Sequence, residues 1–469
     1  MIMMTVKEAA DVLHADWRGE DVLFTGVSTD SRTLREGDLF VALTGEKFDG
    51  SRFVDSAAEK GAVAAMIQQA VDGNDLPAGL PLIRVKDTRL GLGQLAAHWR
   101  SRFALPVIGV TGSNGKTTVK EMIAAILRQA AANSKAEVNE KTDYVLATEG
   151  NLNNDIGVPQ MLLRLRQQYR YAVIEMGMNH VGEIAYLTQL VKPGIALITN
   201  AGAAHIEGLG SVEAVARAKA EIFTGLDQQG TAVINADDQY ATLWRECAGT
   251  RKIVDFGLRE KAQVSAEYQV DLLVNKIRLK LPDGVVELKL QAPGVHNVYN
   301  ALAAAAAASA LGISKEMIAA GLEQFRSVQG RMQKKQGLHH ALLIDDTYNA
   351  NPESVRAALA VLAATGGKKI LVLGDMGELG KSAIDLHRTI GRDARNAGLD
   401  QLLTLGELSA YATEEFGKGG QHFKTIDELL NATESLLADD VTLLVKGSRF
   451  MHMERVVRQL EQPKRFPCC

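Results

Sequence analysis

Apolar and polar positions recur along this chain in two periods, and the switches between them mark out most of its elements. Residues 107–110, Val-Ile-Gly-Val, form a short apolar run with β-branched side chains, which predicts a buried strand. Val119, Met122, Ile123, Ile126 and Leu127 then recur at helical spacing from Lys116 onward. Residues 171–175 and 195–200 are further short apolar runs of the parallel-sheet kind, each ending in polar residues. Upstream, a helix is predicted near 5–13, strands near 22–27 and 38–43, and a helix over 89–103 that leads into the 107–110 strand. Residues 264–291 alternate in strand fashion around Pro282-Asp283-Gly284 and predict a β-hairpin insert. The alanine-rich run 301–310 is too short to span a membrane and predicts a buried helix. Beyond Gly330-Arg331 strands and helices alternate, with strands at 341–344, 370–373, 402–405 and 442–445.

This pattern predicts an α/β protein of three domains. They are a small N-terminal α/β unit over 1–88, a central domain with a mostly parallel sheet over 89–328, and a Rossmann-like domain over 329–469. The last lacks G-x-G-x-x-G, so it implies no dinucleotide. At 46% hydrophobic and 23% charged residues the composition is that of a globular protein with large cores. A net charge of −4 gives no electrostatic case for nucleic-acid binding. The three cysteines, Cys247, Cys468 and Cys469, form no metal spacing and no disulfide framework, so a reducing cytosol is expected. The opening MIMMTVKEAADVL carries Asp11 and no long apolar run, and reads as an amphipathic helix rather than a signal peptide. No segment approaches a membrane span, and a monomer is expected.

The chemistry centres on VIGVTGSNGKTT at 107–118. Strand, glycine turn, Lys-Thr-Thr and helix make a phosphate cradle, in which backbone N–H groups and the positive helix end face an anion. Lys116 can reach β- and γ-phosphates, and the Thr117 hydroxyl can hold Mg²⁺. The strict pattern places a glycine five residues before Gly115, where Val110 stands; this chain has the shorter Gly112-x-x-Gly115-Lys116-Thr117-Thr118. The expected ligand is a nucleoside triphosphate, ATP. Ligands of open α/β sheets bind at the carboxyl ends of strands. Glu175 and, after the 195–200 strand, Asn200 and His205 stand at such ends, so Glu175 and His205 are candidates for a second Mg²⁺. Histidine is the less expected Mg²⁺ ligand, and a loop histidine with ordinary partners is the alternative.

Other polar clusters read less sharply. Ser28-Thr29-Asp30-Ser31-Arg32 and the turn Phe48-Asp49-Gly50 suit an anionic ligand such as a nucleotide diphosphate, although surface turns look the same. Asn153 and Asn154 serve either as turn and cap residues or as ligand contacts. Asn297 and Asn300 share a helix face and suit an adenine or a domain joint. Three strand ends of the last domain carry polar runs: 345–352, 374–380 and 446–449. Lys219 lies on the apolar stripe of a helix predicted over 212–226. A buried ammonium needs relief. A salt bridge, snorkelling, or a carbamate formed with CO₂ would each supply it, and spacing favours the salt bridge.

Taken together, these residues resemble the Mur ligases, which add amino acids to UDP-N-acetylmuramic acid in peptidoglycan synthesis. TDSR at 29–32, FVALTGEKFDG at 40–50, TGSNGKTT at 111–118 and GNLNNDIGVP at 150–159 carry the likeness. So do IEMGMNHVGEI at 174–184, HNVYNALAA at 296–304, DDTYNANP at 345–352 and GDMGELG at 374–380. It covers essentially the whole chain. GNLNNDIGVP, EMGMNH and GDMGELG favour the member that adds D-alanyl-D-alanine to UDP-MurNAc-tripeptide. A folylpolyglutamate-synthetase-like ligase shares the cradle, but the first 88 residues argue against it.

The resemblance implies a role for each matching position. Gly112, Ser113, Asn114, Gly115, Lys116, Thr117 and Thr118 bind ATP and Mg²⁺, with Glu175 and His205 on a second metal. Lys219 falls where relatives carry a carbamylated lysine. Asn297 and Asn300 lie near the adenine, and Arg331 and Asp346 reach ATP from the third domain. Ser28, Asp30, Ser31, Arg32, Phe48, Asp49 and Gly50 hold the UDP moiety. Asn153 and Asn154 meet substrate, and Asn349, Asn351 and Asp375 flank the dipeptide.

Overall fold

The computed structural model describes residues 2–45, 48–71, 77, 79–133, 142–203, 206–270 and 274–463. His205, Cys468 and Cys469 lie outside these residues. Three sheets dominated by parallel strands follow one another along the chain. The first runs, from edge to edge, Asp16–Arg18, Leu82–Val85, Ala64–Gln68, Asp38–Val41, Gly26–Ser28, with only the first strand antiparallel. The strand expected near 22–27 is split into Leu23–Phe24, which pairs with Met4–Thr5, and Gly26–Ser28.

The second sheet is fully parallel, in the order Val145–Ala147, Tyr171–Glu175, Val107–Thr111, Ile195–Ile198, Thr231–Asn235, Lys252–Phe256. The strand Val107–Thr111 is buried at every position, as its unbroken apolar run requires. Chain order reverses around it, so the crevice at its carboxyl end is where a ligand is expected. The helix Lys116–Ala132 leaves that end and packs on Val295–Ala310 and Lys315–Gln324. Most alanines of Val295–Ala310 are buried, and their small side chains let the helices approach closely. Gly321 takes this furthest, since a Cβ there would collide with the Ile126 backbone.

Residues 264–291 are not a single hairpin. Ser265–Val270, Asn275–Leu281 and Gly284–Leu290 form a three-stranded antiparallel sheet, and Pro282-Asp283 joins the last two. Alternation gives a strand's period but not the number of strands it is folded into. The predicted helix 212–226 is also shorter: Val212–Ala220 is α-helical and Glu221–Gly225 continues as a 3₁₀ turn.

The third sheet runs Gln333–Gln336, Leu342–Asp346, Val441–Lys446, Lys368–Gly374, Gln401–Leu405, Gly420–Phe423, with only the first strand antiparallel. The three polar strand ends singled out above therefore sit side by side, with that of Val441–Lys446 in the middle. The helix Pro352–Ala363 starts from a capping box of Asn351 and Ser354 with Pro352 in its first turn, a strong stop-and-start signal.

Replacing Gly321 by Val should push the helices Lys116–Ala132 and Lys315–Gln324 apart at Ile126 and lower the thermal unfolding midpoint by roughly 3–10 °C. An unchanged midpoint in a thermal melt would contradict this packing.

Candidate active site

The cradle is built by two strand ends. Gly115, the residue before the helix Lys116–Ala132, has φ 82°, and a Cβ there would also collide with the Asn300 side chain. The first backbone N–H to bond back within the turn is that of Val119, to Gly115 O at 2.8 Å. Earlier N–H groups of the helix are thus left for a ligand. The loop is braced from the neighbouring strand end. Ser113 N donates to Asn200 O (2.9 Å), Asn114 N donates to Asn200 Oδ1 (2.9 Å), and Thr199 Oγ1 donates to Asn114 O (2.6 Å). Ser113 Oγ accepts from Gly202 N at 2.9 Å.

Lys116 folds back over its own loop and donates to Gly112 O at 2.7 Å. Burial lowers the pKa of its ammonium; Glu175 and Glu378 oppose the fall, and Arg331 adds to it. Lys219 is 1% exposed, and burial together with the Lys116 charge holds its pKa well below that of an ordinary lysine. Among the described residues no carboxylate forms with Lys219 the salt bridge that spacing favoured. Its helix buries Val215, Ala216, Ala218 and Ala220 in the apolar core, and that packing supplies no acidic partner.

Glu175 is 2% exposed, and its Oε1 accepts from Asn153 Nδ2 at 2.9 Å. Its Oε2 is buried without a partner among the described residues. An orphaned carboxylate oxygen near enough to Lys116 to act on its charge suits a hard cation at the cradle. Among the described residues no group of three or more His, Cys, Asp or Glu side chains converges.

The third domain closes the cleft. Arg331 Nη2 donates to Thr117 Oγ1 at 3.1 Å, its guanidinium lies 4.2 Å from the Tyr348 ring centre, and its buried Nε has no partner among the described residues. Asn351 Nδ2 donates to Asn114 Oδ1 at 2.8 Å, and the Glu353 carboxylate accepts from Ala203 N at 2.9 Å. A cavity of about 1360 Å³ remains between the domains. Its floor is Ser113 to Lys116 and Thr118; its walls include Glu175, Asn153, Asn154, Asn297, Asn300, Arg331, Asp346, Asn349 and Asn351.

On one wall Asn297 Nδ2 donates to Pro293 O (2.8 Å) and to His296 Nε2 (3.1 Å), while Asn300 Nδ2 donates to Asn297 Oδ1 (3.0 Å). Asp237 accepts from Tyr299 Oη at 2.7 Å and from the N–H groups of Leu258, Arg259 and Glu260. Burial opposes its charge, but these bonds prevail and hold the Asp237 carboxyl low. Asp346 is shared between Met332 N and the buried Lys446, whose Nζ lies 2.6 Å from Oδ2.

Not every expected residue meets the cavity. Asp375 is buried, and its carboxylate accepts from Leu408 N and Ser409 N (2.7 Å), pinning a neighbouring loop. Two and three residues on, Gly377 and Glu378 reach the cavity instead. Asn154, which does line the cavity, also caps the N–H groups of Ile156 and Gly157. In the first domain Asp30 and Arg32 pair bidentately, which lowers the Asp30 carboxyl to about 2. Ser28 Oγ donates to Asp30 O, and buried Ser31 offers its carbonyl to Lys60. Asp49 caps the turn at Gly50, and Phe48 stacks on Phe53 at the surface. None of these lines the cavity, but the loop adjoins the central domain, since Gln160 Nε2 donates to Thr29 Oγ1 at 2.6 Å. Thr199, Glu353, Tyr299 and Asp237 went unread in the sequence, because each owes its place to a partner from a distant segment.

Family models match along the chain. They are the Mur ligase family catalytic domain over residues 23–100, the Mur ligase middle domain over 110–308, and the Mur ligase glutamate ligase domain over 330–449. The UDP-N-acetylmuramoyl-tripeptide–D-alanyl-D-alanine ligase of Escherichia coli K12 is 42% identical, covering 98% of this chain and 99% of that one. A crystal structure of MurF from Acinetobacter baumannii aligns with a TM-score of 0.89 at 38% identity, covering 97% of this chain and 98% of that one. MurF ligase from Thermotoga maritima in complex with ADP aligns at 0.80 and 26% identity, covering 92% and 96%.

The wall residue His296 supplies a test. Burial, aided by Lys446 and opposed by Asp346, lowers its pKa to about 4. An unfolded histidine protonates at about 6.5, so between the two values the unfolded chain binds a proton that the folded one refuses. Stability should therefore be full above pH ~6.5 and fall by about 3 kcal/mol at most as pH drops toward 4. Denaturant midpoints should fall further between about pH 7.5 and 5 for the wild type than for His296→Gln. Equal falls would refute the assignment.

Proposed function

Because the chain belongs to the Mur ligase family, we propose that it joins D-alanyl-D-alanine to UDP-N-acetylmuramoyl-tripeptide with conversion of ATP to ADP and phosphate. It would do so in the cytoplasm, at the last amino-acid addition to the peptidoglycan precursor. One observation carries this reading: the anion cradle at Lys116 is completed across the domain gap by Arg331. The full-length likeness to ligases of that name supports the choice of substrates.

A carboxylate does not form an amide at neutral pH without activation. In this scheme a carboxylate oxygen of the tripeptide attacks the γ-phosphorus and the bond to the bridging oxygen of ADP breaks. The dipeptide amine, having lost its proton, attacks the acyl carbon of the resulting acyl phosphate, and phosphate leaves. Lys116 and Arg331 face the phosphates and offset the charge of two anions brought together. Asn297 and Asn300 line the adenine side, and Asp346, through Lys446, shapes the wall near the phosphates. Thr117 would hold one Mg²⁺ and Glu175, with His205, a second, and the ions would polarise phosphate oxygens. Carbamylation of Lys219 would replace a buried ammonium beside Lys116 with an anion, removing the like-charge contact and adding a metal ligand.

Residues 1–88 would carry the UDP end through Ser28 to Arg32 and Phe48 to Gly50, residues 89–328 the ATP, and residues 329–469 the dipeptide. Asn349, Asn351 and the Asp375 loop lie on that last side. The contacts of Arg331, Asn351 and Glu353 close the site, which keeps water from the acyl phosphate.

With UDP-MurNAc-tripeptide, ATP and Mg²⁺, phosphate release should require D-alanyl-D-alanine, and the product should be heavier by the dipeptide less water. Lys116→Ala should lower kcat by roughly 10²–10³ or more. Release without the dipeptide, or full ligation by the variant, would overturn the scheme.

A further inference from the structure

The residue whose carboxylate is activated must place that carboxylate at Lys116 and Glu175. Its own side chain then lies against the wall next to Glu175. That wall is the loop 153–155: Asn153 holds Glu175 at 2.9 Å, and Asp155 is two residues further on. Facing Asp155 is Arg89, in the first turn of the helix Thr88–Ser101, and the Arg89 Nη2 and Asp155 Oδ2 form an ion pair. Both line the cavity, with side chains 46% and 35% exposed.

Each partner is fixed from behind. The Asp87 carboxylate accepts from Arg89 N at 2.7 Å and Leu90 N at 3.0 Å. Asn154 Oδ1 accepts from Gly157 N at 2.8 Å, which sets the turn that carries Asp155. Tyr186 stands beside them. Burial, with Asp155 and Asp87 near, raises its pKa, so its hydroxyl stays a neutral donor.

An ion pair on a cavity wall offers a cation and an anion side by side. Its complement is a zwitterion. A side chain ending in both a carboxylate and an ammonium can exchange the internal pair for two intermolecular ones, carboxylate on the Arg89 fork and ammonium on Asp155. A side chain ending in an ammonium alone would satisfy Asp155 and leave the guanidinium without its anion. Resting on the ligase reading above, we propose that the Arg89–Asp155 pair reads the side chain of the third peptide residue and selects diaminopimelate, whose far end is zwitterionic, over lysine.

The test compares kcat/KM for UDP-MurNAc-tripeptides ending in meso-diaminopimelate, in lysine, and in diaminopimelate with its far carboxylate amidated. The wild type should prefer the first over the other two by roughly ten- to hundredfold. Arg89→Gln should lose roughly tenfold more activity on the diaminopimelate substrate than on the lysine one, and should no longer distinguish the free from the amidated carboxylate. The amidated substrate probes the wild-type protein, so the outcome does not depend on a variant folding. Equal use of all three by the wild type would overturn the inference while leaving the ligase reading intact. Equal losses on all three in Arg89→Gln would likewise reduce the pair to a strap between helix and loop. Ligation of none of the three would overturn both readings.

Discussion

A part-buried lysine at the floor of the cleft, Lys116, and a fully buried one close enough to feel its charge, Lys219, set the terms for the rest of the structure. Desolvation lowers the proton affinity of both, and the Lys116 charge lowers that of Lys219 further. The negative charge acting on Lys116 comes from Glu175, one oxygen of which has no partner among the described residues, and from Glu378. Such a floor is poorly satisfied alone and well satisfied by a polyphosphate with its cation. The electrostatic cost of folding this site is thereby converted into selectivity for the ligand that relieves it.

The architecture fastens that floor within one sheet and covers it with a roof from another. Asn200 and Thr199 fasten the cradle loop to the next strand of the same sheet, where parallel pairing fixes the register. The roof is held by a few contacts from a separate sheet: Arg331 to Thr117, Asn351 to Asn114, Glu353 to Ala203 N. Two of these use the cradle's own side chains as partners. The third domain therefore touches the cradle directly, and a ligand that engaged Thr117 or Asn114 would meet the same side chains that hold the roof.

Division of labour among carboxylates follows from the same logic. Asp375 and Asp237 bind backbone N–H groups and build loops; Asp346 neutralises Lys446; Glu353 caps a backbone N–H across the domain gap. Asp237, Asp346 and Glu353 line the cavity as Glu175 and Asp155 do, but one Glu175 oxygen has no partner among the described residues, and Asp155 is part-exposed in its pair with Arg89. Burial with a complete set of donors makes a carboxylate structural, and an unfinished set at a cavity leaves it available for chemistry.

The sequence alone determined the cradle, because strand, glycine turn and Lys-Thr-Thr helix are adjacent in the chain and need no distant partner. It also determined the alternation of strand and helix, hence the α/β class, and the candidates at strand ends, since parallel sheets place ligands there. It misjudged 264–291, where a period of two carries no strand count, and Asp375, whose acidic motif faces a neighbouring loop. Only the tertiary structure decided that no carboxylate among the described residues pairs with Lys219, that Arg331 reaches Thr117, and that Arg89 meets Asp155. The two contacts join segments 214 and 66 residues apart, and the state of Lys219 depends on what a core withholds. Local periodicity reports which face of an element is apolar; which charges meet across the cleft is fixed only when the sheets are stacked and the third closes over the second.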